Sequence, residues 1–207
     1  MRVWVMLVSC LLAVAMGMPA QAKEAASFAG TPFGTPRTSL PSFMTLKTVG
    51  HVSYAVNLNE RYQVDGRTPV VFYGFADGRL FAAYVKLDGV ISPEAMIKRL
   101  VATYGRPQIT IESGVRILRW RKGDLKVKLK SDPSAGSLKL GYYSIAYGTP
   151  AARSLPAPDS IDMDELARMY EKDKIAKGVK VPDSTARQRK LPHDGSIANP
   201  LGPIIGQ

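Results

Sequence analysis

The residues best placed to do chemistry in this chain are cations at every second position, in Leu125-Lys126-Val127-Lys128-Leu129-Lys130. A period of two is strand geometry: it sends the leucines and the valine to one side of a pleated ribbon and all three lysines to the other. Arg119 and Arg121 flank Trp120 on the segment before, across a turn at Lys122-Gly123, so one hairpin presents five cations on a single face. Lys139, on the segment that follows, extends the row. Like charges opposed across strands cost a few tenths of a kcal/mol per pair unless an anion or a carboxylate relieves them. The functional reading is an anion-recognition surface. The plainer one is a solvated sheet face whose lysines discourage edge pairing, and the row lacks the exposed aromatic interleaving of nucleic-acid binders.

Other chemistry is sparse. There is no phosphate-cradling glycine loop, no nucleophile elbow, no paired-histidine zinc motif and no dinucleotide glycine pattern. His51 and His193 are the two histidines and fall in different regions, so neither has a partner base, and His51 reads as a structural or surface residue. Asp162, Asp164 and Glu165 crowd one turn, which a helix N-terminus explains more simply than a cation does. No cofactor and no metal is expected. Glu112 and Asp124 are the core-domain carboxylates near the basic row, and they define the alternative reading of a hydrolase acting on an envelope polymer.

The N-terminus says where the chain works. Arg2, an apolar run from Val3 to Met18 and the small-x-small ending Ala20-Gln21-Ala22 read as a signal peptide over residues 1–22, cut after Ala22. The run would make a helix of roughly 24 Å, short of the roughly 30 Å hydrocarbon core. Leu7-Val8-Ser9-Cys10 has lipobox form, but Cys10 lies in the middle of the apolar run, which argues against a lipoprotein. The expected product is periplasmic or secreted, has no transmembrane segment after cleavage and has no cysteine, so an ordinary apolar core must hold it together.

Charge is unevenly spread. The full chain of 207 residues carries a net +11. Lys23 to Pro150 has 18 basic and 9 acidic residues, whereas Ala151 to Gln207 has 9 and 8. The field therefore belongs to the folded part, and its expected partner is an envelope protein or an anionic envelope polymer. Export disfavours nucleic acid.

Composition divides the mature chain into a Gly/Pro-rich lead-in (23–42), a domain (43–148), a linker with Pro150, Pro156 and Pro158 (149–159), a helix (160–178) and a polar, proline-punctuated tail (179–207) expected to be disordered alone. Phe28 and Phe33 are candidates to pin the lead-in. Within the domain, alternation at Val52 to Leu58, the apolar run Val70 to Phe75 before Asp77-Gly78, and the return to Leu87 predict strands. Ser92-Pro93-Glu94 opens a helix that Gly105 and Pro107 close. Strands follow at 108–112, 115–121, 125–130 and 138–147. The fold class is α+β: an antiparallel meander sheet of about six strands with one amphipathic helix packed on one face, plus a C-terminal helix and tail.

Adjacent aromatics such as Phe72-Tyr73 and Tyr142-Tyr143 must point to opposite faces, so one of each pair lines a groove or packs under the lead-in or the C-terminal helix. That helix, expected to be capped by Asp159-Ser160, carries a narrow apolar stripe of Leu166, Met169 and Tyr170, which either docks on the sheet or is offered to a partner.

Four segments carry a resemblance: Phe28-x-Gly30-x-Pro32-Phe33-Gly34, Tyr73-Gly74-Phe75-x-Asp77-Gly78-Arg79-Leu80, Leu100-x-x-x-Tyr104-Gly105-x-Pro107 and the Trp120-centred strand. Over residues 28 to 147 the chain resembles a group of uncharacterised exported proteins of Gram-negative bacteria. The likeness implies a periplasmic α+β domain and implies no catalytic residue. The function expected is a non-enzymatic binding or assembly-accessory module of the envelope, or else a structural subunit of an exported complex.

Overall fold

The computed structural model describes residues 26–154 and 161–176. The segment expected as a signal peptide, Cys10 and the tail from 179 lie outside them. The described chain opens with a two-stranded turn, β1 (Ser27–Phe28) and β2 (Thr31–Pro32), followed by β3 (Phe43–Val49), β4 (Val52–Asn57), β5 (Val70–Ala76) and β6 (Arg79–Lys86). Helix α1 (Pro93–Tyr104) leads to β7 (Gln108–Glu112), β8 (Val115–Lys122), β9 (Leu125–Asp132) and β10 (Ser137–Ser144). Two helices follow, α2 (Ile145–Ser154) and α3 (Met163–Ala176).

Antiparallel order β3-β4-β5-β6-β10-β9-β8-β7 makes one sheet of eight strands, mixed with few helices. This corrects the expected count of about six, and the topology is two four-strand meanders rather than one. The chain leaves β6, crosses to the far edge and winds inward until β10 pairs with β6. The crossing is physically reasonable. Twelve residues of α1 rise about 18 Å, close to the four inter-strand steps, about 19 Å, that separate β6 from β7. Strand β3 escapes a search for alternation because a bulge between Thr45 and Lys47 breaks its period of two.

Helix α1 forms where the sequence places it. The Ser92 hydroxyl accepts from the Ala95 amide at 3.2 Å, Pro93 supplies the first residue, and Gly105 ends the helix at φ 80°. Met96 and Leu100 are its buried residues, and the Trp120 indole donates to the Gly105 carbonyl at 2.8 Å, tying the helix end to β8.

The second helix is a correction. Strand β10 stops at Ser144, and residues 145–154, expected as strand end and linker, form α2. Gly148, Thr149 and Pro150 read locally as breakers, but the helix start is capped from elsewhere in the chain. Asp124, in the β8–β9 turn, accepts the Ala146 amide at 2.8 Å through its carboxylate and the Ile145 amide at 2.8 Å through its carbonyl. It also holds the Ser144 hydroxyl at 2.5 Å. Tyr147 then lies against Gly34 so closely that a Cβ there would sit 2.3 Å from the ring. At the start of α3, Asp162 accepts the amides of Asp164 and Glu165, each at 2.9 Å; the expected cap Asp159-Ser160 lies outside the described residues.

Both faces of the sheet are used. One buries Tyr73, Val85, Leu118, Trp120, Val127, Leu129 and Leu140 under α1 and the lead-in. The other buries Val52, Tyr54, Phe72 and Tyr84 under α3, whose Met163 and Leu166 join that layer. Strands β5 and β6 are covered on both sides, which is why they read as continuous apolar runs. Tyr73 faces the first layer and its hydroxyl donates to Glu60 at 2.6 Å. Burial, first, and that carboxylate hold its phenol well above the ordinary tyrosine range.

The lead-in is an integral part of this unit. Its backbone pairs with the end of β6 that β10 does not reach, with Gly34 donating to Leu80 at 2.7 Å and Leu80 donating to Thr35 at 3.0 Å. Phe28 and Phe33 are both buried, and the Phe28 ring centre lies 4.8 Å from Tyr62, 5.8 Å from Tyr73 and 5.1 Å from Tyr142. Phe28→Ala is therefore expected to cost about 3 kcal/mol in urea unfolding, with faster proteolysis near residue 30. Unchanged stability would show that the lead-in pins nothing.

Candidate anion-binding face

Residues directly opposed in neighbouring strands share a face, so the register decides where each cation points. Arg119 opposes Lys128 and Arg121 opposes Lys126 across β8 and β9. Lys130 opposes Lys139, and Lys139 opposes Lys86, across β9, β10 and β6. All seven therefore stand on one side of the sheet, the side that also carries Tyr54, Phe72 and Tyr84.

That side has two unequal halves. Over β3 to β6 it is roofed by α3, whose first turn carries two carboxylates onto the lysines below. Asp164 accepts from Lys139 at 2.6 Å and from Lys86 at 2.5 Å, Lys86 also meets Asp88, and Glu165 accepts from Lys47 at 2.7 Å. The hydrogen bonds from Lys139, then Lys86, hold the Asp164 carboxyl down at about 2. Lys139 thus belongs to an internal ion cluster. Leu166 is fully buried in the same layer, with Met169 and Tyr170 packed against it, so the apolar stripe of this helix is occupied by the protein's own sheet.

Over β8 to β10 the same side is open. There a concavity of about 730 Å³ is lined by Arg106, Arg119, Arg121, Lys126 and Lys128, and its lining contains no aspartate or glutamate. Its other walls come from Tyr143 and Phe81 and from Ile145, Gly148 and Thr149 of the α2 region. Among the described residues, Arg121, Lys126 and Lys130 have no carboxylate within 4 Å, whereas Arg119 donates to Thr110 at 2.6 Å and has Glu112 at 3.5 Å. Of the six cations singled out in the sequence, four line this space. Lys130 lies farther along β9, and Lys139 is engaged by Asp164. Arg106 and Gln108 were not visible as candidates. Arg106 follows the α1 stop signal, and only the pairing of β7 with β8 brings it to the cluster.

The carboxylates of the hydrolase alternative do not meet. Glu112 ends β7 at one end of β8 and Asp124 sits in the turn at the other, separated by an eight-residue strand, about 25 Å. Asp124 is moreover committed to capping α2. His51 is exposed, with Asp77 at 3.7 Å as its neighbour. Among the described residues no cluster of three His, Cys, Asp or Glu side chains is placed to hold a metal, and no helix is long and apolar enough to cross a membrane. No protein-family model, curated protein or solved structure matches the chain.

The ion cluster under α3 has a pH signature of definite sign. Asp164 has a depressed pKa in the folded state, so its contribution is fully present above the ordinary aspartate value of about 3.9 and is lost as pH falls through about 2. The side chain remains 45% exposed, so solvent limits the contribution of the pairs to about 1 kcal/mol or less. Asp164→Asn should lower stability by that amount at pH 7, with the gap from the parent closing toward pH 2 and narrowing in high salt. A gap independent of both would contradict the pairing.

Proposed function

We propose that this protein is a non-enzymatic exported module that holds an anionic component of the cell envelope, through the open half of its basic face and the C-terminal segment beyond α3. The observation that carries the reading is the contrast within one face. Where the chain supplies its own cover, each lysine under α3 meets a carboxylate. The open concavity is lined by five cations and by no aspartate or glutamate, and among the described residues Arg121 and Lys126 have no carboxylate within 4 Å, although Arg119 has Glu112 at 3.5 Å. A face serving only for solubility would gain from interspersed signs, and the protein places acidic residues accurately elsewhere on the same surface.

The likeness of residues 28–147 to exported Gram-negative proteins and the signal-peptide pattern of residues 1–22 support the envelope as the setting. Processing after Ala22 makes Lys23 the first residue of the protein recovered from the periplasm, which N-terminal sequencing checks; an intact Met1 would remove the envelope from the proposal.

The binding face itself is tested by neutralising Arg121, Lys126 and Lys128 to alanine together. These side chains project from the solvent side of β8 and β9, so the variant should keep its unfolding midpoint or raise it slightly as repulsion is relieved. Its affinity for soluble polyanions should fall at least tenfold, and the parent's affinity should drop steeply with salt. Polyanion binding equal in parent and variant would overturn the assignment of this face.

A further inference from the structure

Charge does not choose among polyanions, but the floor of the concavity does. Gly141 lies opposite Lys128, and Tyr143 lies opposite Lys126. A Cβ at Gly141 would fall 2.3 Å from the Tyr143 phenolic oxygen and 2.6 Å from the adjoining ring carbon. The tyrosine therefore lies down along β10, across the place a side chain at residue 141 would fill, and does not stand off the sheet. Tyr84 meets its ring edge to face, with centres 5.4 Å apart at 79°, which holds that orientation. The outcome is a flat aromatic surface, half-buried, bordered on one side by Lys126, Lys128, Arg119 and Arg121 and on the other by the α2 residues Gly148 and Thr149.

Resting on the reading of this face as an anion site, we propose that the concavity binds an acidic glycan. A sugar ring offers a C–H face that packs on an aromatic plane, and its carboxylate or phosphate substituents project from the ring edge, where the arginines and lysines stand. Arginine suits either group because its planar fork pairs with both oxygens. The volume of about 730 Å³ lies within the roughly 300–1,000 Å³ of small-ligand sites, enough for a few sugar residues of a longer chain. The backbone amides at the start of α2 are already taken by Asp124 and Ser144, so the anion is held by side chains, which tolerate the variable spacing of charges along a polymer.

Trp120 is buried on the opposite side of the sheet with its indole on the Gly105 carbonyl, so calorimetry rather than tryptophan fluorescence reads binding to the processed protein. The experiment titrates it with oligogalacturonate, neutral dextran of equal length, polyaspartate of equal charge and phosphatidylglycerol vesicles, with parent and Tyr143→Leu compared. The proposal expects oligogalacturonate to bind at least tenfold tighter than polyaspartate, dextran not to bind, and Tyr143→Leu to weaken the glycan at least tenfold while leaving polyaspartate within twofold. Equal binding of the two polyanions, unaltered in Tyr143→Leu, overturns the glycan assignment and leaves the anion face standing. Preference for the vesicles overturns it in favour of a lipid surface, and no binding of any polyanion overturns both readings. Should Tyr143→Leu unfold, the comparison of polyanions on the parent protein still decides.

Discussion

Five residue pairs join the two halves of this molecule. The pairing of β10 with β6, from Tyr143 opposite Ala82 to Lys139 opposite Lys86, is where one meander meets the other, and its register determines what each face of the whole sheet becomes. Because the side-chain period of a strand is two, a slip of one residue there would turn Leu138, Leu140 and Tyr142 out and Lys139 in. The present register continues the aromatic layer under α3 into the basic face of β8 to β10. Apolar residues on the opposite side, from Leu118 and Leu129 to Val85, enforce it, since each fully buried aliphatic side chain contributes about 1.5–3 kcal/mol.

The burial that enforces this register also lets the concentrated charge survive. Two unit charges about 5 Å apart in water repel by about 0.8 kcal/mol before salt screening, and physiological salt damps the interaction over about 8 Å. The leucines and valine that alternate with the lysines of β9 outweigh this repulsion, so the strand folds with its cations together. Under α3 the same problem is solved internally. Asp164 bridges two lysines, Glu165 takes a third, and the apolar side of the helix closes the layer. One face thus carries its lysines in two ways, paired with the chain's own carboxylates under α3 and lining an open concavity over β8 to β10.

Much of the local structure was legible. Ser92-Pro93 and Gly105 bracketed α1, the Asp77-Gly78 turn joined β5 to β6 with both residues at positive φ, and each of these signals acts through dihedral angles of a few neighbouring residues. What was missed depended on distant partners. Helix α2 was hidden because its cap is Asp124, some twenty residues away, and β3 because a bulge broke its pattern. Helix α3 starts at Met163 with Asp162 accepting its first amides, and boundaries of this kind shift by a residue or two with the local cap.

For the site the division is the same. Alternation in Leu125 to Lys130 by itself required the three lysines to share a face, and the flanking arginines of Trp120 required theirs, because a pleated strand offers each side chain only two directions. Which cations stay open to a ligand was decided by tertiary structure. Lys139 and Lys126 look alike in the sequence, but α3 brings Asp164 to one and α2 helps wall a concavity around the other. Those placements join residues as far apart as Lys47 and Glu165, and they follow from the summed burial of two sheet faces, a quantity that no local stretch of chain contains.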